Sequence, residues 1–129
     1  MGVAPSDQST GVEWGCYETE LGVGCQSQTD GAANTSYILS NCAERPIAAS
    51  VCADYGDGNW YLPALNQLST LYSNRSGINS VADSDFDLAN YWSSTEISSS
   101  FTYRVYFSSG GTGYIAKTSS RYVRCVRTF

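Results

Sequence analysis

The chain contains no histidine, which removes Ser-His and Cys-His nucleophile pairs, histidine zinc ligation and imidazole acid–base catalysis. The chemistry left to it rests on carboxylates, thiols and hydroxyls. Asp83, Asp85 and Asp87 stand at alternate positions and offer oxygens of the kind calcium takes. The glycine and distal glutamate of a calcium loop are missing, so the three read as a solvated turn. Glu96 closes the run Tyr91-Trp92-Ser93-Ser94-Thr95-Glu96, with the aromatic and hydroxyl neighbours of a buried acid of raised pKa. No second carboxylate stands at a spacing that suggests a glycosidase pair, and the stronger reading is a hydrogen-bonded brace between strand and loop.

The five cysteines, at 16, 25, 42, 52 and 125, lack Cys-x-x-Cys spacing, which argues against zinc and for disulfides in an exported protein. Their number leaves the pairing open. A Cys52–Cys125 bridge would close a loop of roughly 70 residues, worth about 4 kcal/mol of chain entropy. Trp14, Trp60 and Trp92 belong to a core by default, though one exposed indole would suit a sugar ring. The most informative segment is rich in hydroxyls and tyrosine: Ser98, Ser100, Thr102, Arg104, Tyr106, Thr112, Tyr114, Ser119 and Arg121 fall mainly on the polar side of strands or in their turns. Tyrosine gives rigid amphipathic area at low entropic cost, and serine and glycine give adaptable hydrogen bonds, as in antibody paratopes. The ordinary alternative is a wet sheet face.

Net charge is −5, distributed unevenly. All twelve acids lie within residues 1–96, with only Arg45 and Arg75 against them, whereas residues 97–129 carry Arg104, Lys117, Arg121, Arg124 and Arg127 and no acid. Either the basic end folds back on the acidic body, or it builds a face that tolerates anions. Overall acidity disfavours nucleic acid as a partner. No apolar run reaches the ~20 residues of a membrane helix. At 129 residues the chain holds one domain. We expect residues 1–11 to be a flexible edge of a longer chain and residues 12–129 to be the folded unit, with no cofactor.

The elements that must position these residues are legible by period. Residues 12–17 suggest a short aromatic strand, and Gly22 to Gly31 a loop followed by a short turn or helix over 35–39. Asn41 as cap, Pro46 near the first turn, and Ile47, Ala48, Val51 and Cys52 at helical spacing predict a first helix. Pro63 with Leu65, Leu68, Leu71 and Tyr72 predicts a second, stopped by Asn74 and Gly77. Phe101, Tyr103, Val105 and Phe107 alternate with polar residues as the buried side of a strand. Gly110-Gly111 turns it, Gly113 to Lys117 returns, and Arg121 to Arg127 forms a final strand with Val123 and Cys125 on one face. The class is α+β, two helices against an antiparallel sheet.

Together, Trp14-Gly-Cys16-Tyr17, Ala48-Ala49 with Cys52, Trp60-Tyr-Leu-Pro63 running into Leu65-Asn-Gln-Leu68, Tyr91-Trp-Ser-Ser-Thr-Glu96 and Tyr122-Val-Arg-Cys-Val-Arg127 resemble the bacterial domains typified by the C-terminal domain of the Legionella collagen-like adhesin. The resemblance runs from about residue 12 to the end. It implies a C-type-lectin-like fold, two helices on a curled sheet, stabilised by Cys16–Cys42 and Cys52–Cys125 bridges with Cys25 spare; a Cys16–Cys25 bridge stays open. It implies ligand binding in place of catalysis, on a cell surface, pilus or phage fibre, with a host or bacterial surface receptor protein or glycan as partner and no membrane insertion. Related domains are variable proteins of diversity-generating retroelements. By position, Tyr103, Phe107 and Gly110 match framework, while Ser98, Ser100, Arg104, Tyr106, Thr112, Tyr114, Ala116, Ser119 and Arg121 fall where variation and ligand contact would lie. The acidic body departs from the basic surface that sulfated glycans favour, and lectin calcium motifs are missing. Two other readings stand beside this one. In the first, the domain is a fibre cap or trimerisation unit whose polar strand face contacts neighbouring subunits; a homo-oligomer through an N-terminal region outside this sequence is a separate expectation. In the second, it is an enzyme like the formylglycine-generating enzymes of the same fold, which need a reactive cysteine pair.

Overall fold

The computed structural model describes residues 1–128; Phe129, the last residue of the expected 12–129 domain, lies outside the described residues. Helices α1 (Gly31–Asn41), α2 (Ala48–Ala53), α3 (Leu65–Ser73) and α4 (Arg75–Val81) precede most of the sheet. The strands are β1 (Gly2–Val3), β2 (Ser9–Val12), β3 (Asn90–Glu96), β4 (Phe101–Tyr106), β5 (Gly111–Ala116), β6 (Arg121–Val123) and β7 (Val126–Arg127). Five of them form one sheet in the order β2-β6-β3-β4-β5, and β1 pairs with β7. This mixed α+β arrangement is consistent with a C-type-lectin-like fold. Both expected bridges are present, Cys16–Cys42 and Cys52–Cys125.

Several elements differ from their sequence signals. The stretch expected to hold only a short turn or helix over 35–39 is the longest helix, α1. Its buried side is Gly31, Asn34, Thr35 and Ile38, so no apolar period betrays it. Polar partners do the work: the Asp30 carboxylate accepts from the Ala33 N–H at 3.0 Å, and Asn34 donates to Ser27 O and Ser94 Oγ. Asn41 therefore ends α1 and caps no following helix. Helix α2 begins only after Pro46, where the Ser50 hydroxyl accepts from the Ile47 N–H at 2.9 Å. Asn74 does end α3, but Gly77 lies inside α4. Gln67 Oε1 accepts from both the Gly31 and Ala64 N–H groups, joining the starts of α1 and α3.

Residues 1–11 are not a loose edge. β1 pairs with β7 and β2 with β6, and Ala4 is fully buried. Arg124 fixes this segment: its Nε donates to Ala4 O, Nη1 to the Asp7 carboxylate and Nη2 to Ser84 O. That inward turn splits the expected 121–127 strand into β6 and β7. The aromatic strand expected over 12–17 is not formed: β2 is Ser9–Val12, and Trp14 and Tyr17 lie beyond its end.

Apolar side chains form two clusters. One gathers Trp14, Ile38, Ile47, Cys52, Trp92, Val123 and Cys125; the other gathers Leu68, Leu71, Phe86, Tyr91, Val105 and Phe107. Trp14 and Trp92 are buried, whereas Trp60 is only half-buried. The β4–β5 turn is pinned to α3 by Gly110, which has φ +78°; a Cβ there would lie 2.3 Å from Tyr72 Cε2. Gly110→Ala is expected to cost about 2 kcal/mol, from left-handed strain plus the clash, read as a lower urea midpoint.

Candidate ligand-binding site

The β4–β5 ladder runs through six consecutive pairs, from Phe101↔Ala116 to Tyr106↔Gly111. Residues directly opposite share a face. Phe101, Tyr103, Val105, Thr112, Tyr114 and Ala116 therefore lie on one side, and Thr102, Arg104, Tyr106, Gly111, Gly113 and Ile115 on the other. The sequence-derived set does not form a single face: Tyr106 and Tyr114 point to opposite sides of the hairpin.

On the first side, Val105 is buried in the second cluster and Tyr103 packs at its margin. Further along the hairpin that cover is lost. Phe101 is 40% exposed and Tyr114 63%, their ring centroids 5.3 Å apart edge to face. Phe101 is thus not the buried residue its alternation suggests. Thr112 is exposed and Ala116 half-buried.

On the second side, Thr102 is buried and Tyr106 is 39% exposed. The Arg104 guanidinium lies along Gly113, where any Cβ would come within 2.8 Å of Nη2, and Nη1 donates to Gly111 O at 3.1 Å. The pairings Asn90↔Tyr106, Trp92↔Arg104 and Tyr91↔Tyr122 set Arg121, Asn90 and Tyr106 in one row across β6, β3 and β4. Arg121 Nη1 donates to Ser120 O. Arg104 Nε, Arg121 Nε and Asn90 Oδ1 are buried polar atoms without a protein partner. Sequence reasoning missed Asn90, although it directly precedes the Tyr91-Trp92 motif. Ser98 and Ser119 serve the turns: Ser98 Oγ accepts from the N–H groups of Ser100 and Phe101, and the Ser119 N–H donates to Ala116 O. Ser100 is half-buried beside them.

The basic end divides by role. Lys117 pairs with Glu96 at 2.8 Å, Arg124 with Asp7 at 3.1 Å and Arg127 with Asp57 at 3.4 Å. These three cations fold back on the acidic body. Arg104 and Arg121 have no carboxylate partner among the described residues, and both belong to the second side of the sheet. Glu96 is the brace foreseen: its carboxylate accepts from the Leu21 and Gly22 N–H groups, Gln26 and Lys117. Desolvation pushes its pKa up, but the Lys117 bond and the two backbone N–H bonds outweigh that and hold it below the usual glutamate range.

The thiol chemistry is closed. Four sulfurs are bridged, and burial, with Glu96 nearby, pushes the Cys25 thiol up to about 12, far from a nucleophilic thiolate. Asp83, Asp85 and Asp87 are exposed and do not converge. Among the described residues, the one group of potential metal ligands is Cys16, Cys42 and Glu44, whose two sulfurs form a disulfide.

The family model of the Lcl C-terminal domain matches residues 4–127. The chain belongs to the Lcl C-terminal domain family. This is a non-catalytic, adhesin-type domain family, and the match begins within the N-terminal segment that β1 and Arg124 build into the fold. No curated protein matches the chain. Among the described residues of this Lcl C-terminal domain, no helix is long and apolar enough to cross a membrane.

Proposed function

We propose that the domain captures a surface receptor protein or glycan through its β4–β5 hairpin, without catalysis. The supporting observation is the second side of the sheet, which Tyr106 shares with Arg104 and Arg121, the two cations of the basic C-terminal third that no carboxylate neutralises among the described residues. An exposed tyrosine on one side with two half-buried arginines, whose Nε atoms have no protein partner, is the composition of a binding hot spot, and it favours an acidic group on the ligand. The same hairpin is where the resemblance places diversified positions. Side chains such as Thr112 and Tyr114 face outward there, while Val105 and Phe107 hold the core.

Because the two tyrosines lie on opposite sides, they are tested singly on glycan and cell-surface protein arrays. Tyr106→Ala and Arg104→Ala are each expected to weaken capture at least tenfold, about 1.4 kcal/mol, and Tyr114→Ala much less. The melting temperature should scarcely change in Tyr106→Ala, whose ring is exposed. Normal capture by Tyr106→Ala and Arg104→Ala overturns the assignment. A stable oligomer in sedimentation that buries the hairpin supports the fibre-cap reading in its place.

A further inference from the structure

A cavity of about 320 Å³ opens far from the hairpin in sequence, between α1 and the loop that joins α2 to Pro63. Its walls include Ser36 and Leu39 of α1, Ala53 at the end of α2, and Gly58, Asn59 and Trp60 of the loop; every lining side chain is uncharged. Trp60 is the one half-buried tryptophan. Tyr55 meets its ring edge to face at 5.2 Å, and the Arg127 guanidinium sits 5.3 Å from its centroid, so the indole is clamped while part of it borders the cavity. The other two indoles are committed internally: Trp14 Nε1 donates to Ser93 O at 2.9 Å and Trp92 Nε1 to Val12 O at 2.7 Å. Trp60 Nε1 donates to no protein acceptor among the described residues. Asn59 is held through its backbone N–H, which donates to Asp57 Oδ1 at 3.1 Å, and its side chain stays exposed, as does the Ser36 hydroxyl.

We infer that this cavity is a second binding site, separate from the hairpin, and that it takes one ring of a neutral saccharide. A clamped indole that borders the cavity offers it a rigid apolar surface. A carboxamide and a hydroxyl beside it supply both donors and acceptors. A pyranose presents the complement, an apolar C–H face bordered by hydroxyls. Charged ligands fit poorly: no charged side chain lines the cavity, and the nearby Arg127 is paired with Asp57. The cavity is at the small end of the range for ligand pockets, enough for one ring and for affinity in the millimolar range.

The three indoles make the test direct. In a ¹⁵N–¹H spectrum each gives its own N–H resonance, and Trp60→Phe identifies the one to follow. Titration with methyl glycosides of glucose, galactose, mannose and N-acetylglucosamine, to about 50 mM, is expected to move the Trp60 resonance saturably with at least one sugar. Those of Trp14 and Trp92 should stay fixed. Ser36→Phe, at an exposed helix position that borders the cavity, should abolish the shift and leave array capture through the hairpin unchanged. The inference is overturned if no sugar moves the Trp60 resonance, if all three resonances drift together, or if the shift survives in a folded Ser36→Phe protein. None of these outcomes bears on the hairpin, whose variants report on it separately.

Discussion

Glu96→Ala is expected to destabilise the domain by about 4 kcal/mol, the scale for removing one partner of a buried ion pair. The reason is local and specific. Both side chains of the Glu96–Lys117 pair are wholly buried, so the variant leaves an ammonium group with only Thr19 O as partner and the Trp14 ring 4.8 Å away. The Leu21 and Gly22 N–H groups also lose their acceptor. Lys117→Met in the same background should recover much of the loss, because two charges then leave the core together; urea denaturation of the single and double variants measures this. The pair also sets an acid limit. Because the folded-state pKa of Glu96 lies below its unfolded value, its contribution is complete above the ordinary glutamate range and fades as pH falls through the folded value. Thermal stability should therefore fall on acidification below about pH 4. Glu96→Gln should flatten that part of the profile, and an unchanged acid limb would exclude Glu96 as its source.

Removing the Cys52–Cys125 bridge with paired alanines is expected to cost about 4.4 kcal/mol, against about 3.5 for Cys16–Cys42, from loop-closure entropy over separations of 73 and 26 residues. Packing widens the gap. Cys52 and Cys125 are fully buried in the first cluster, whereas Cys16 is partly exposed, so the longer link also leaves a cavity on removal. Its loss should loosen the chain around Arg124, the residue that holds the N-terminal segment, and with it β6, which carries Arg121. Chemical denaturation of the two double variants tests the order; a more damaging loss of Cys16–Cys42 would show that the loop-entropy argument does not govern here.

The two sides of the hairpin are the clearest case of partial legibility. The alternation from Phe101 to Phe107 marks a strand, and the Ser-Tyr-Gly-Arg composition marks a recognition surface. Period two cannot say where the covering helix stops. Val105 and Phe107 meet α3 and its neighbours, but Phe101, on the same side as Val105, lies beyond that cover and is exposed. The alternation also cannot register a return strand, because the phase of β5 against β4 depends on the turn. Hence Tyr106 and Tyr114, which look equivalent in one dimension, separate in three. Asn90 escaped notice for a related reason: its position beside Arg121 follows from a parallel pairing between strands thirty residues apart.

By itself the sequence determined the α+β class, the apolar helix α3, the bracing role of Glu96 and, through motif resemblance, the family and the Cys52–Cys125 bridge, while the partner of Cys16 stayed open between Cys42 and Cys25 until the structure paired it with Cys42. Each rests on a local period or on a residue pattern that carries its own constraint. Only the tertiary structure decided which cations are spent internally, which tryptophan stays accessible, and that the first eleven residues belong to the fold. α1 shows why: its buried side uses Asn34 and Thr35, whose burial is tolerable only because Ser27, Leu62 and Ser94, from other parts of the chain, supply hydrogen bonds. Such compensation depends on contacts distant in sequence, and a linear pattern of side-chain polarity contains no trace of them.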